Sequence, residues 1–168
     1  MRTRTRNQHS GSDADEDGSV VILNRQRFRR VDQTTLARFA QKALADIGRG
    51  DDRVTITLVS DQKIRSLNRT YRDIDQPTDV LAFPDEPAFP HEVGGVHYLG
   101  DVVISTETAA RYAAKFRISF DRELRNLIIH GLLHLCGYDH EADQGEMRQL
   151  ERRVRRKLIK ERGTRNDE

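Results

Sequence analysis

Residues 130–140 read HGLLHLCGYDH, a short stretch with three histidines. Residues four apart lie on one face of a helix, with Cβ atoms roughly 5–6 Å apart, so His130 and His134 can bind one metal ion. A third ligand from the same segment requires the chain to leave the helix and fold back, which favours a residue that tolerates positive φ. Gly137 suits that turn and would let His140 approach the ion from another side. The spacing therefore predicts a metal site with His130, His134 and His140 as ligands.

The same stretch matches the metzincin pattern H-E-x-x-H-x-x-G-x-x-H at every position except the second, where Gly131 replaces the glutamate. In zinc peptidases that glutamate takes a proton from the attacking water, so its absence argues against peptide hydrolysis by the usual route. Three neutral imidazoles also leave the full +2 charge of the ion uncompensated, which favours an anionic substrate. Hydrolysis of a phosphodiester fits a site that activates water and polarises a phosphoryl oxygen.

The composition predicts a single domain with a real core and a heavily charged surface, since 36% of the 168 residues are hydrophobic and 33% are charged. No apolar run approaches the roughly 20 residues that span a bilayer, and the first residues lack the apolar core of a signal peptide. The single cysteine, Cys136, excludes an intrachain disulfide and is interpreted as a small buried hydrophobe. We therefore expect a cytoplasmic protein that does not interact with membranes.

Hydrophobic periodicity predicts four strands and five helices within residues 19–163. The strands are expected at residues 19–24, 54–59, 80–83 and 99–105, with a loop at 84–95. Asp32 is expected to cap the first helix and Asp61 to cap the second. The other helices are expected to span about 106–115, to begin at Ser119 or Asp121, and to span about 143–162. This order predicts one α/β (α+β) domain around a small mixed sheet. Residues 1–18 are predicted to be a disordered polar extension and residues 164–168 a C-terminal tail.

Two further segments accompany the histidine stretch: LNRTYRDIDQPTDVLAFP at residues 67–84 and LGDVVIS at residues 99–105. Together the three segments resemble the YbeY family of bacterial metal-dependent endoribonucleases, and the resemblance covers most of residues 19–163. It implies a single-domain α/β fold that binds one Zn²⁺ through His130, His134 and His140. The chain departs from the family at Ala82, where serine is usual, and in its acidic N-terminal extension.

The resemblance also implies a function: a zinc-dependent, single-strand-specific endoribonuclease in maturation of the 16S rRNA 3′ end and in ribosome quality control. The implied partners are rRNA, the small ribosomal subunit with its proteins and a ribosome-associated GTPase, but not DNA. Arg72 falls on the arginine of the family's YR motif, so Arg72 and His134 are the implied catalytic residues. A guanidinium offers a planar fork of donors that matches phosphate oxygens. Two alternatives stay open: a non-catalytic ribosome assembly factor with a structural zinc, and a metallopeptidase-like hydrolase with a displaced base.

Several charged residues have no assigned role at this point. Asp139 is expected to shape the turn before His140, with the orientation of a ligand imidazole as the alternative. Glu141 is expected to favour the start of the next helix, with a role as a base as the alternative, so the proton acceptor is unidentified. The closing helix offers a basic surface for RNA, although its glutamates also fit a salt-bridged face exposed to solvent. Its basic residues are Arg148, Arg152, Arg153, Arg155, Arg156, Lys157, Lys160 and Arg162, and its glutamates are Glu146, Glu151 and Glu161. Arg25, Arg27, Arg29 and Arg30 form a second basic cluster.

Overall fold

A four-stranded mixed sheet forms the centre of the fold in the computed structural model, which describes residues 19–85 and 97–159. Its strands are β1 (Val20–Asn24), β2 (Arg53–Val59), β3 (Val80–Pro84) and β4 (Tyr98–Ser105), in the spatial order β1-β2-β4-β3. The β1–β2 and β2–β4 pairs are parallel, whereas β3 runs antiparallel to β4 at one edge. The predicted fold class is confirmed, while the predicted extension (1–18) and tail (164–168) lie outside the described residues.

Five helices accompany the sheet in the described part of the chain. They are α1 (Gln33–Ile47), α2 (Asp61–Arg72), α3 (Thr106–Phe116), α4 (Phe120–Leu135) and α5 (Glu146–Leu158). As predicted, Asp32 caps α1, because its carboxylate accepts a hydrogen bond from the Thr35 N–H at 3.0 Å. Gly48 ends the same helix with φ +85°. None of these helices is long and apolar enough to cross a membrane.

The prediction that Asp61 caps α2 is wrong. Ser60 is the cap, since its hydroxyl accepts from the Lys63 N–H at 3.3 Å, and Asp61 is the first helical residue. The Asp61 carboxylate instead joins α2 to α3, because it accepts hydrogen bonds from the Thr108 hydroxyl at 2.6 Å and from the Arg111 guanidinium at 2.7 Å. A carboxylate committed to a neighbouring helix cannot satisfy the first N–H groups of its own helix.

The last helix is shorter than the predicted span of 143–162. It begins at Glu146 because Gly145 has φ +98°, which is outside the helical region. Asp143 lies before the helix and stabilises this turn, as its carboxylate accepts from the N–H groups of Gly145 at 2.7 Å and Met147 at 2.8 Å. The predicted end of the helix lies beyond the described residues.

The main core lies between α1, α4 and α5 and one face of the sheet. Alternate strand residues such as Ile56 and Val102 are fully buried in it, as the two-residue period of a strand requires. A smaller cluster, which includes Ile64 of α2 and Val103 of β4, lies on the opposite face. Helix α4 lies very close to β4, since a Cβ placed on Gly131 would be 2.5 Å from Val102 Cγ1. This packing fixes the helix that carries two of the predicted ligands.

Candidate metal centre

The last two turns of α4 carry His130 and His134 on one face. The helix begins at Ser119, whose hydroxyl accepts from the Arg122 N–H at 3.1 Å, and its apolar side is buried against the sheet. The two histidines are four residues apart, so their rings meet, with centroids 4.6 Å apart and an interplanar angle of 76°. Their Nε2 atoms are 3.1 Å apart. Both rings are half-buried, and their Nε2 atoms face each other.

A left-handed turn after α4 brings His140 to the same place. Gly137 has φ +90°, as its position in the sequence predicted, and the Tyr138 N–H donates to the Leu133 carbonyl at 3.1 Å. The His140 ring centroid then lies 5.2 Å from that of His130 and 6.0 Å from that of His134. The structure therefore brings together the three histidines that the sequence predicted as ligands.

Asp139 and Glu141 flank His140 in the turn before α5. The Asp139 carboxylate accepts from the Glu141 N–H at 3.0 Å, which closes the turn before α5 as expected. Glu141 itself is exposed. The half-buried Cys136 packs against the main core, and burial raises the pKa of its thiol, so it is a small hydrophobe rather than a ready nucleophile.

Glu151 is the residue of this site that sequence reasoning missed. The sequence pattern favours a salt-bridged, solvent-exposed face for the glutamates of this helix, but only 7% of Glu151 is exposed. Its Oε1 lies 3.4 Å from His130 Nδ1, and its Oε2 lies 3.9 Å from His140 Nε2. The side-chain ligand atoms of His130, His140 and Glu151 all lie within 4.8 Å of one another, an arrangement that could hold a metal ion.

A signal for Glu151 was present in the sequence, because it lies on the apolar stripe of α5. The other buried residues of that stripe are Met147 and Val154. Glu151 lies four residues after Met147 and three before Val154, so all three share one face of the helix. A carboxylate in the buried stripe of an amphipathic helix needs a partner. Here the partners are His130 and the guanidinium of Arg155, which donates to Oε1.

The electrostatics of the cluster favour a neutral ring on His134 and an ionised carboxylate on Glu151. Burial, and then the proximity of His130 and His140, lowers the pKa of His134 below its usual 6.5. Burial alone would raise the pKa of Glu151, but the hydrogen bond with His130 and the charge of Arg155 outweigh it and lower the pKa. Neutral imidazoles and an ionised carboxylate are the protonation states that a metal ion requires.

The spacing of the His130 and His134 rings is compatible with a tetrahedrally coordinated metal ion such as zinc. Ligand nitrogens on zinc at 2.0–2.1 Å are about 3.3 Å apart, close to the 3.1 Å between the two Nε2 atoms of His130 and His134. His140 Nδ1 is buried without a hydrogen-bond partner among the described residues, which leaves a ring nitrogen for a ligand. His130 already has a carboxylate behind its other nitrogen, as metal-binding histidines usually do.

Arg72 is not brought to the histidines by a direct contact. It is the last residue of α2, it is exposed, and within the described residues no hydrogen bond or ion pair joins its side chain to the histidine cluster. Helix α2 packs against β3, β4 and α3 rather than along α4. The catalytic role of Arg72 therefore stays a prediction that rests on the family motif.

The basic surface of α5 is partly neutralised. Arg155 pairs with Glu151, and Lys157 donates to the Asp46 carboxylate of α1 at 2.5 Å. Arg148, Arg152 and Arg156 are exposed on the same helix. The helix thus combines ion pairs with exposed cations, and the prediction that it binds RNA stays a prediction.

Comparison with known proteins identifies the family. The model described as "Endoribonuclease YbeY" matches residues 20–159. The chain belongs to the YbeY family. A relative named "Endoribonuclease YbeY" from Aquifex aeolicus is 41% identical over 142 residues, which cover 83% of this chain and 92% of that protein. One of the same name from Moorella thermoacetica is 49% identical over 119 residues, or 67% and 76% of the two chains.

A solved structure supports the same assignment. The solution structure of TM1509 from Thermotoga maritima superposes with a TM-score of 0.55 at 30% identity, and the match covers 83% of this chain and 88% of that one. Membership of the YbeY family and the α/β fold, both predicted from HGLLHLCGYDH and its two companion segments, are therefore confirmed.

Proposed function

We propose that this protein is a zinc-dependent endoribonuclease that cleaves single-stranded RNA. The observation that carries the proposal is the cluster of His130, His134 and His140 with the buried carboxylate of Glu151 behind it. Membership of a family whose named relatives are endoribonucleases supports RNA as the substrate. We also propose that its cellular role is maturation of the 16S rRNA 3′ end and ribosome quality control in the cytoplasm. The proposed partners are rRNA, the small ribosomal subunit with its proteins, and a ribosome-associated GTPase.

In this proposal the three histidines hold one Zn²⁺, and Glu151 orients the ring of His130 from its far side. A zinc ion in such a site supplies Lewis acidity toward a phosphoryl oxygen and makes water a better nucleophile near neutral pH. Arg72 is proposed to bind a phosphate oxygen and so to stabilise the charge that develops during cleavage. That role requires the RNA to extend from the histidine cluster toward the end of α2.

The packing of Gly131 argues against the metallopeptidase alternative. The protease glutamate would stand at this position, but a Cβ there would lie 2.5 Å from Val102 Cγ1 and 3.0 Å from Cγ2. A side chain enters that space only if Val102 or the helix shifts. The packing therefore disfavours a glutamate at this helix position.

The experiment compares wild type, His134→Ala and Arg72→Ala on a single-stranded precursor fragment of 16S rRNA, with zinc content measured for each protein. Arg69→Ala is the matched control for Arg72, because Arg69 is also exposed in the last turn of α2. We expect wild type and Arg69→Ala to cleave, cleavage to stop with a chelator and return with zinc, and His134→Ala to lose both zinc and cleavage. Arg72→Ala should keep its zinc and cleave about a hundredfold more slowly.

Two outcomes would contradict the proposal. Cleavage that survives chelation, or that is equal in wild type and His134→Ala, would exclude zinc catalysis. Loss of the folded circular-dichroism spectrum in His134→Ala and in the chelated protein would instead support a structural zinc in a non-catalytic assembly factor.

A further inference from the structure

A pocket of about 320 Å³ opens beside His130, on the side toward the start of α4. Glu123, Asn126 and His130 follow one another on a single face of the helix, at spacings of three and four residues, and all three line the pocket. Asp79, Phe116 and Arg155 are among the residues that complete its wall. The pocket thus shares a predicted metal ligand with the histidine cluster but has polar groups of its own.

Glu123 is the unusual residue of this pocket. It is only 9% exposed, and within the described residues its carboxylate has a single hydrogen bond, a long one of 3.4 Å from the Asn126 amide. Burial, and further the proximity of Asp79, raises its pKa. A largely buried carboxylate with so little hydrogen bonding can accept a further hydrogen bond from a ligand that enters the pocket.

The charges of the wall indicate which part of a nucleotide fits. Asp79 and Glu123 are both acidic. Among the described lining residues Arg155 is the one cation, and it already donates to Glu151, while its Nε is buried with no partner in the described part of the chain. Two carboxylates repel a phosphate, and they favour neutral groups that donate hydrogen bonds. The Phe116 and Leu127 side chains add apolar surface for a ring. The pocket therefore suits a nucleoside whose phosphate lies outside it, toward the histidines.

We propose that this pocket holds the ribose of the nucleotide next to the scissile phosphate, with the Glu123 carboxylate accepting a hydrogen bond from the 2′-hydroxyl. The proposal rests on the proposed ribonuclease function, and it assigns to Glu123 the selection of RNA over DNA. The 2′-hydroxyl is the group that distinguishes ribose from deoxyribose. A deoxyribose leaves the carboxylate with only the long hydrogen bond from Asn126, so we expect it to bind more weakly than ribose.

The test measures the binding of ribonucleoside 5′-monophosphates and their 2′-deoxy analogues to the zinc-loaded protein, by NMR titration. We expect wild type to bind the ribose form about tenfold more tightly. Glu123→Met removes both oxygens at similar side-chain length, and its ratio of the two dissociation constants should approach one. Glu123→Gln keeps one acceptor oxygen and should retain part of the selectivity. Asp121→Asn removes an exposed carboxylate of the same helix and should keep the wild-type ratio.

Equal binding of ribose and deoxyribose forms by wild type, or a wild-type ratio in folded Glu123→Met, would overturn the proposal. If Glu123→Met does not fold, the Glu123→Gln ratio decides, since an unchanged ratio there and no ribose-specific shift of the Asn126 side-chain amide would exclude the contact. These measurements need no cleavage, so they are separate from the RNA cleavage assay that tests the proposed function. A protein that cleaves RNA but shows no ribose preference would keep that function and lose this role of Glu123.

Discussion

Glu151 Oε1 lies 3.4 Å from His130 Nδ1, while the other ring nitrogen of His130 lies 3.1 Å from His134 Nε2. The two nitrogens of one imidazole thus have different partners, a carboxylate on one side and a neighbouring histidine on the other. The carboxylate favours the tautomer with its proton on Nδ1, which leaves Nε2 with a free electron pair. Glu151 of α5 therefore favours the tautomer in which His130 of α4 can bind a metal ion through Nε2.

The first prediction concerns metal affinity. Glu151→Gln should lower the affinity for zinc by about tenfold to a hundredfold, because the carboxylate no longer orients the ring or increases its basicity. Competition with a chromophoric zinc chelator measures the affinity. Glu146→Gln, in the exposed first turn of the same helix, is the matched control. An affinity equal to that of wild type would show that Glu151 has no part in metal binding.

The second prediction concerns the contact between α4 and β4. Gly131→Ala should lower the free energy of unfolding by about 1–3 kcal/mol, although alanine is the better helix former, because the added methyl overlaps Val102. Urea denaturation of the metal-free protein measures it. Val102→Ala creates space, so the double variant should be less destabilised than the sum of the two single variants. Additive losses would show that the two residues do not compete for the same volume.

The local part of the site could be predicted from the sequence. His130 and His134 are four apart in a strongly apolar helix, so helix geometry alone places their rings together. Gly137 indicates the turn that returns His140, because left-handed backbone is costly for other residues. The strand and helix alternation likewise gave the class of the fold. All of these features depend on residues close to one another in the chain.

The parts that depend on packing could not be predicted in the same way. Glu151 reaches His130 only because α5 packs against α4, and the pattern of α5 alone shows a buried carboxylate without naming its partner. Asp61 is not the cap of α2 that the sequence predicts, because its carboxylate accepts hydrogen bonds from α3, a helix more than 40 residues later in the chain. The spatial relation of Arg72 to the histidines depends on the whole sheet, and sequence periodicity carries no information about it.

The third prediction concerns pH. In the metal-free protein, the folded state holds the pKa of His134 below 6.5, first through burial and then through His130 and His140. Above that pH both states carry a neutral ring, so His134 contributes no pH dependence. As the pH falls below 6.5 the unfolded state binds the proton first, and the free energy of unfolding decreases until the folded pKa is reached.

Replacement of His134 by glutamine should therefore flatten the decrease in stability as the pH falls below about 6.5. Urea denaturation at several pH values, with chelator present, measures the effect. The exposed His97→Gln variant controls for loss of a histidine outside the cluster. A decrease as steep in His134→Gln as in wild type would contradict the lowered pKa.

The fourth prediction concerns the turn that delivers His140. Gly137 has φ +90°, but a Cβ there would meet nothing within 4 Å, so the cost of a side chain is conformational rather than steric. Gly137→Ala should lower the free energy of unfolding by about 1 kcal/mol and weaken zinc binding, because relief of the strain moves His140. Gly137→Asn should lose less on both measures, since asparagine tolerates left-handed backbone better than alanine does. Urea denaturation and chelator competition on the same proteins separate the two effects. Equal losses for alanine and asparagine would show that the turn does not depend on positive φ, and unchanged zinc affinity in both would show that His140 reaches the cluster without it.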